Sequence, residues 1–245
     1  MKNWLKYTLL IIGAILCLGY AAYFYIEGRH FQNDKICKGV EVHIHDAQNK
    51  SLITEKEIID FLNADKLIPT GKFYRKIRTK KIEDAVEKHP MVRRAECYKM
   101  PNGKLMIDIE QRTPVLQIIS SESYYVDDQR HTLPLSLNYA AYVPVATGQI
   151  DRKMAKSKLY DFARYISKDS FWNSQIDQIQ VNDSFNVILS PRVGDHTILL
   201  GSFDRYEQKL EKLKKLYLYG LNKTGWNQYK TIDLRYKDQV VCKKR

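Results

Sequence analysis

Met91–Gln111 reads "MVRRAECYKMPNGKLMIDIEQ". Two runs of alternating apolar and polar residues flank Pro101-Asn102-Gly103, a pattern that predicts a β-hairpin. What lies before the hairpin decides the fold it joins. In "TKKIEDAVEKHP" the helical spacing turns Ile82, Ala85 and Val86 inward, with Thr79 as the expected N-cap. Pro90 ends that helix, because the residue before a proline is pushed out of the helical region. Further back, "LITEKEIIDFLN" places Thr54 and Glu57 at capping-box spacing, with Ile58, Ile59 and Leu62 on the apolar side. "GVEVHIH", Gly39–His45, alternates as a strand. The order strand, helix, helix, strand, strand over residues 39–111 predicts a small α+β unit, two helices on one face of a three-stranded sheet.

Arg112–Val115, "RTPV", marks a junction, and residues 112–245 read as a β-rich domain with flanking helices. Strand patterns recur in "VLQIIS", "YVPVATG", "IDQIQV", "FNVILS" and "HTILLG", and "YYVDDQRHTLPL" reads as a second hairpin. One helix is expected over Arg152–Ser167, burying Met154, Leu159, Phe162, Ala163 and Ile166. Asp204 and Glu207 are spaced to cap another, which turns Leu210, Leu213 and Tyr217 inward and leaves Lys209, Lys212, Lys214 and Lys215 solvated. The last stretch, "KTIDLRYKDQVVCKKR" (Lys230–Arg245), alternates as a single long strand. Ile232, Leu234, Tyr236, Val240 and Cys242 face one way, and Asp233, Arg235, Lys237 and Gln239 the other. A strand at a sheet edge carries unpaired N–H and C=O groups, which are either a liability or a docking site.

Residues 7–26 carry no charge. At about 1.5 Å per residue they span roughly 30 Å, the thickness of a bilayer's hydrocarbon core. This predicts one transmembrane helix, with residues 1–6 as a cytoplasmic tail and 27–38 as a linker. Lys2 and Lys6 before the run keep the N-terminus in the cytoplasm and send the bulk across the inner membrane to the periplasm. A cleaved signal peptide is the rival reading. Those have apolar cores of about 7–15 residues and a small-x-small site, whereas this run is longer and ends in aromatics.

The net charge is +12. An exported domain does not meet the chromosome, so nucleic acid is set aside in favour of anionic headgroups or an acidic protein partner. Cys37, Cys97 and Cys242 lie beyond the apolar run, too few and odd in number for a disulfide scaffold.

No motif for catalysis stands out: there is no Gly-x-Ser-x-Gly, phosphate loop or His-Glu-x-x-His. Asp127-Asp128 sits where a hairpin turns and reads as turn chemistry. His43 and His45 form a His-x-His pair of a kind that binds metal. No third ligand lies near them in sequence, so they read as solvent-facing strand residues. No catalytic residue, metal site or cofactor is assigned, and a tethered, non-enzymatic ectodomain is the reading. An anchored cell-wall enzyme is the alternative from another class. It would need a pocket with convergent polar groups.

Five segments in this order resemble the FtsQ/DivIB family of bacterial cell-division proteins: "KHPMVRRAECYK", "IEQRTPV", "YYVDDQRHTLP", "VPVATG" and "IDLRY". The first unit then corresponds to the small fold called POTRA. The family often has a glycine in the turn after Val-Asp, where Arg130 stands here. The resemblance implies a divisome scaffold at the septum. Its POTRA domain makes upstream contacts, and its β domain recruits the coiled-coil proteins FtsB and FtsL, which control septal peptidoglycan synthesis. It places the partner edge at Asp233, Leu234, Arg235, Tyr236, Lys237 and Gln239, with Arg235 as a fork donor for a partner carboxylate. Val40–Ile44 and Glu55–Leu62 are the candidate POTRA contacts. The residues alone leave another reading open, in which Arg235 and Lys237 only guard the edge and Tyr236 is core. Another POTRA-bearing exported accessory protein is the nearest alternative; no run of ten-residue amphipathic barrel strands follows to support it.

Overall fold

The computed structural model describes residues 7, 12–25, 35–45, 51–136, 139–182 and 186–245. They divide into two compact units that meet in sequence between Gln111 and Arg112. Residues 12–25 are helical with every side chain exposed, Ile12, Leu16, Leu18 and Phe24 among them. Among the described residues no helix is long and apolar enough to cross a membrane. The expected span, Tyr7–Ile26, includes residues 8–11 and 26, which lie outside the described residues; so do the tail 1–6 and linker positions 27–34.

The first unit runs β1 (Gly39–Ile44), α1 (Glu55–Ala64), α2 (Thr79–Val86), β2 (Val92–Lys99) and β3 (Lys104–Gln111). Its sheet has the order β1-β3-β2, with β1 parallel and β2 antiparallel to the central β3. The two-residue period sends Leu105, Ile107 and Ile109 inward from β3, and they are buried, as are Ile58 and Leu62 of α1 and Ile82, Ala85 and Val86 of α2. The α1 capping box forms as expected: the Glu57 N–H donates to Thr54 Oγ1 at 3.2 Å, and the Thr54 N–H to Glu57 Oε2 at 3.4 Å. Thr79, expected as the cap of α2, is instead its first residue; Arg78 takes the cap position without a side-chain bond. The hairpin turn needs Gly103, whose φ is +89°.

The second unit is built on one nine-stranded sheet of order β12-β11-β10-β9-β8-β7-β4-β5-β6. Its strands are β4 (Pro114–Ile119), β5 (Ser123–Asp127), β6 (Thr132–Leu133), β7 (Val145–Gly148), β8 (Ile176–Val181), β9 (Val187–Pro191), β10 (Thr197–Gly201), β11 (Tyr229–Asp233) and β12 (Val241–Lys244). Helices α3 (Arg152–Ala155), α4 (Lys158–Lys168), α5 (Ser170–Gln175) and α6 (Tyr206–Lys215) accompany it. The buried core joins Leu159, Phe162 and Ile166 of α4, Leu210 and Leu213 of α6, and inward residues of the central strands. The expected helix over Arg152–Ser167 is broken, because Ser157 leaves helical geometry at φ −121° and ψ −108°. Met154 is accordingly only partly buried.

Two more expectations fail at α6. Its N-cap is Arg205, at φ +53°, and Asp204 accepts instead from Ser202 Oγ at 2.9 Å. Lys209 is not solvated. It is buried, with its ammonium donating to the carbonyls of Leu200 (3.0 Å) and Ser202 (2.7 Å). A long side chain lying against the core can bring its charge to the end of β10 in this way.

One ion pair ties the junction to the sheet. Arg112, in the "RTPV" segment, donates to the fully buried Asp127 at 2.8 Å. The other carboxylate oxygen accepts the N–H groups of Gln129 (2.9 Å) and His131 (2.6 Å), closing the turn between β5 and β6. In that turn Arg130 adopts φ +65°, the conformation for which glycine is the easy choice. Its side chain offsets the strain: it stacks 4.2 Å over the Tyr160 ring and pairs with Asp161 at 2.6 Å. Truncating one partner of a buried pair leaves the other uncompensated. Asp127→Ala is therefore expected to destabilise this unit by about 3 kcal/mol or more, measured by urea unfolding followed through tryptophan fluorescence.

Candidate partner-docking edge

The terminal stretch is not one strand. β11 ends at Asp233, the chain reverses through residues 234–240, and β12 returns antiparallel to β11. β11 also pairs in parallel with β10, Ile198 lying opposite Ile232. Both sides of β11 (Tyr229–Asp233) are therefore occupied by strands of the same sheet, and residues 234–237 of the edge implied by the resemblance lie in the reversal past it. The missed signal is the polar run Lys237-Asp238-Gln239, which is turn chemistry inside an apparently continuous pattern.

The six expected site residues separate accordingly. Leu234 is fully buried, and its N–H donates to the Leu199 carbonyl at 2.9 Å. Asp233 is also buried and binds Arg235: Nε donates to Oδ1 at 2.9 Å and the terminal guanidinium nitrogen to Oδ2 at 2.6 Å. The fork assigned to a partner carboxylate thus engages the chain's own Asp233. The stem of Arg235 lies against Gly201, where a Cβ would come within 2.8 Å of Arg235 Cγ. Gly201 also has φ +76°, so both backbone and packing call for glycine there. Tyr236, Lys237 and Gln239 are exposed on the reversal. Lys212 of α6 fastens that segment by donating to the carbonyls of Tyr236 (2.7 Å) and Lys237 (2.9 Å).

The open edge belongs to β12. Among the described residues it has one strand neighbour, β11, and nothing pairs its other side. Its core face holds Cys242, packed against the hydrophobic core opposite Ile232. Val241, Lys243 and Lys244 are exposed. The register is held at the far end by Arg245, whose N–H donates to the Gln228 carbonyl at 3.3 Å and whose guanidinium reaches Asp195 at 3.2 Å. The result is a short, basic edge that exposes Val241, with Tyr236 exposed on the reversal before it. Its outward backbone groups have no strand neighbour among the described residues, and its two lysines make it positive.

A family model described as FtsQ/DivIB, C-terminal related, matches residues 113–243, more than half of the chain. The chain belongs to the FtsQ/DivIB family. A POTRA-like domain model matches residues 35–110, the unit built around β1, β3 and β2. No curated protein matches the chain. FtsQ/DivIB proteins act in bacterial cell division, generally as non-enzymatic scaffolds that work through protein–protein contacts. Across this FtsQ/DivIB chain, the motif segments "IEQRTPV" and "YYVDDQRHTLP" meet at the Arg112–Asp127 pair. "VPVATG" ends in Gly148, where a Cβ would lie 2.0 Å from the Val181 carbonyl oxygen.

The Asp233–Arg235 pair has a pH signature. The Arg235 hydrogen bonds hold the Asp233 carboxyl below its ordinary value of 3.8, with burial acting in the opposite direction. A depressed folded-state value means the stabilisation is present above about pH 4 and lost as pH falls through that lower value. Asp233→Asn is expected to lower the melting temperature at pH 7 and to flatten its decline between about pH 4 and pH 2, as followed by circular dichroism across a pH series.

Proposed function

We propose that this protein is a membrane-anchored divisome scaffold whose β12 edge is completed by a strand from an FtsB/FtsL-type coiled-coil partner. Main-chain hydrogen bonds would supply the pairing, and side chains on alternate positions the selectivity. The observation that carries this reading is the pairing pattern: β11 is satisfied on both sides, while β12 presents one unpaired side among the described residues. Lys243 and Lys244 suit an acidic partner segment, and Tyr236 and Val241 offer it exposed apolar contact. The proposed site therefore keeps Tyr236, Lys237 and Gln239, adds Val241, Lys243 and Lys244, and gives Asp233, Leu234 and Arg235 the role of holding the reversal in place.

In the POTRA unit the same logic favours β1. The other edge, β2, has two of its N–H groups taken by carboxylates of α2 and its C-cap: Glu83 accepts from Cys97 (2.9 Å) and Glu87 from Ala95 (3.2 Å). Edge Val40–Ile44 is then the proposed surface for upstream division proteins, with Glu55–Leu62 beside it in the same unit. The N-terminal apolar run, Tyr7–Ile26, is the proposed anchor, with the bulk of the chain exported and concentrated at the septum. In support, residues 12–25 form a helix whose apolar side chains, Ile12, Leu16, Leu18 and Phe24 among them, are exposed.

Two experiments test this reading. Tyr236→Ala combined with Lys243→Glu and Lys244→Glu should reduce co-purification of the coiled-coil partner at least about tenfold. Because all three side chains are exposed, folding stability should move by only about 0.5 kcal/mol per site. Undiminished capture by a normally folded variant would remove β12 as the docking edge. Separately, the protein should remain in the membrane pellet after an alkaline wash. Its appearance in the supernatant would show that the apolar run had been cleaved.

A further inference from the structure

The solvent side of the POTRA sheet gathers three ligating side chains that are distant in sequence. His43 and His45 share one face of the β1 segment by the two-residue period. The parallel register of β1 on β3 sets His43 opposite Asp108. Both imidazoles converge on one carboxylate oxygen: His43 Nδ1 lies 2.8 Å and His45 Nε2 3.0 Å from Asp108 Oδ1. One ligand atom from each residue lies within 4.8 Å of the other two. The rings stand edge to face with centroids 5.1 Å apart, so neither blocks the other's nitrogen.

His45 lies one residue past β1 yet is held in place. Its N–H donates to the Ile109 carbonyl at 2.9 Å, and its carbonyl accepts from Gln111 Nε2 at 3.4 Å. The third ligand that sequence reading could not find near His-x-His comes from a strand 65 residues later.

We propose that His43, His45 and Asp108 form a binding site for a divalent late-transition cation, with zinc as the ion its donors fit best. Two imidazoles and one carboxylate form a zinc-type donor set, whereas calcium and magnesium prefer all-oxygen ligation. The adjustment falls on exposed side chains. Bonds of about 2.0–2.1 Å in a tetrahedral arrangement put neighbouring ligand atoms about 3.3 Å apart; the two nitrogen–oxygen distances open by a few tenths of an ångström, and the two imidazole nitrogens, within 4.8 Å of each other, draw together by rotation of the exposed rings. Three protein ligands leave a fourth position for water or for a side chain of a bound protein. With the His43 and His45 side chains 60% and 54% exposed, an ion reaches the site without any opening of the fold.

The test is titration of the purified full chain with Co2+, read by visible absorption, and with Zn2+, read by calorimetry. One equivalent of Co2+ should bind with a tetrahedral spectrum that Zn2+ then displaces, and Mg2+ should give no comparable heat. His43→Ala with His45→Ala should abolish the signal, and Asp108→Asn should weaken binding about tenfold or more. All three positions carry solvent-facing side chains, so circular dichroism should show an unchanged fold. Absence of saturable binding, or a signal that survives the double histidine variant in folded protein, would overturn the proposal.

Discussion

Backbone N–H and C=O groups cannot be left unpaired inside a sheet, and that requirement fixes how the second unit is finished. β11 lies parallel to β10, with Ile232 and Leu234 buried in the core. Its other side would expose a row of unpaired groups if the chain simply continued. Instead the chain turns back, and β12 pairs along it from Tyr229–Lys244 to Asp233–Val241. The reversal is fastened at three points: Arg235 on Asp233, the Leu234 N–H on the Leu199 carbonyl, and Lys212 on the carbonyls of Tyr236 and Lys237. The open edge is thereby moved outward by one strand, onto residues whose side chains tolerate solvent.

Sheet edges in this protein are managed in different ways. On β2 the Ala95 and Cys97 N–H groups are capped by the carboxylates of Glu87, the C-cap of α2, and Glu83 within it. β6 ends the large sheet with only two residues, too short to template a long pairing. Among the described residues β1 and β12 have a strand neighbour on one side only, and both carry polar, chargeable residues: His43 on the first, Lys243 and Lys244 on the second. Charged edges resist indiscriminate aggregation while leaving main-chain groups available to a complementary strand.

The buried Arg112–Asp127 pair shows how a family pattern can survive a local departure. The turn after Asp127 needs a left-handed residue, and Arg130 supplies it in place of glycine. The energetic cost of that conformation is of order 1 kcal/mol. Stacking on Tyr160 and pairing with Asp161 offset it. The turn geometry is thus kept by contacts made far along the chain, with α4, rather than by the residue's own preference.

The sequence by itself determined the POTRA order of elements, the hairpin at Pro101-Asn102-Gly103, the α1 capping box and most strands of the second sheet. Each of these follows from periodicity, caps and turn residues within a short window. The break at Ser157, the burial of Lys209, the hairpin hidden in Lys230–Arg245 and the meeting of His43 and His45 with Asp108 were decided only by the tertiary structure. In "TIDLRYKDQVVC" two short strands and their turn keep the same alternation, so no local count separates one strand from two. Only the competition for β11's free backbone groups does. Likewise, Asp108 becomes a neighbour of His43 through parallel pairing across 65 residues, a register set by which faces the sheet must bury.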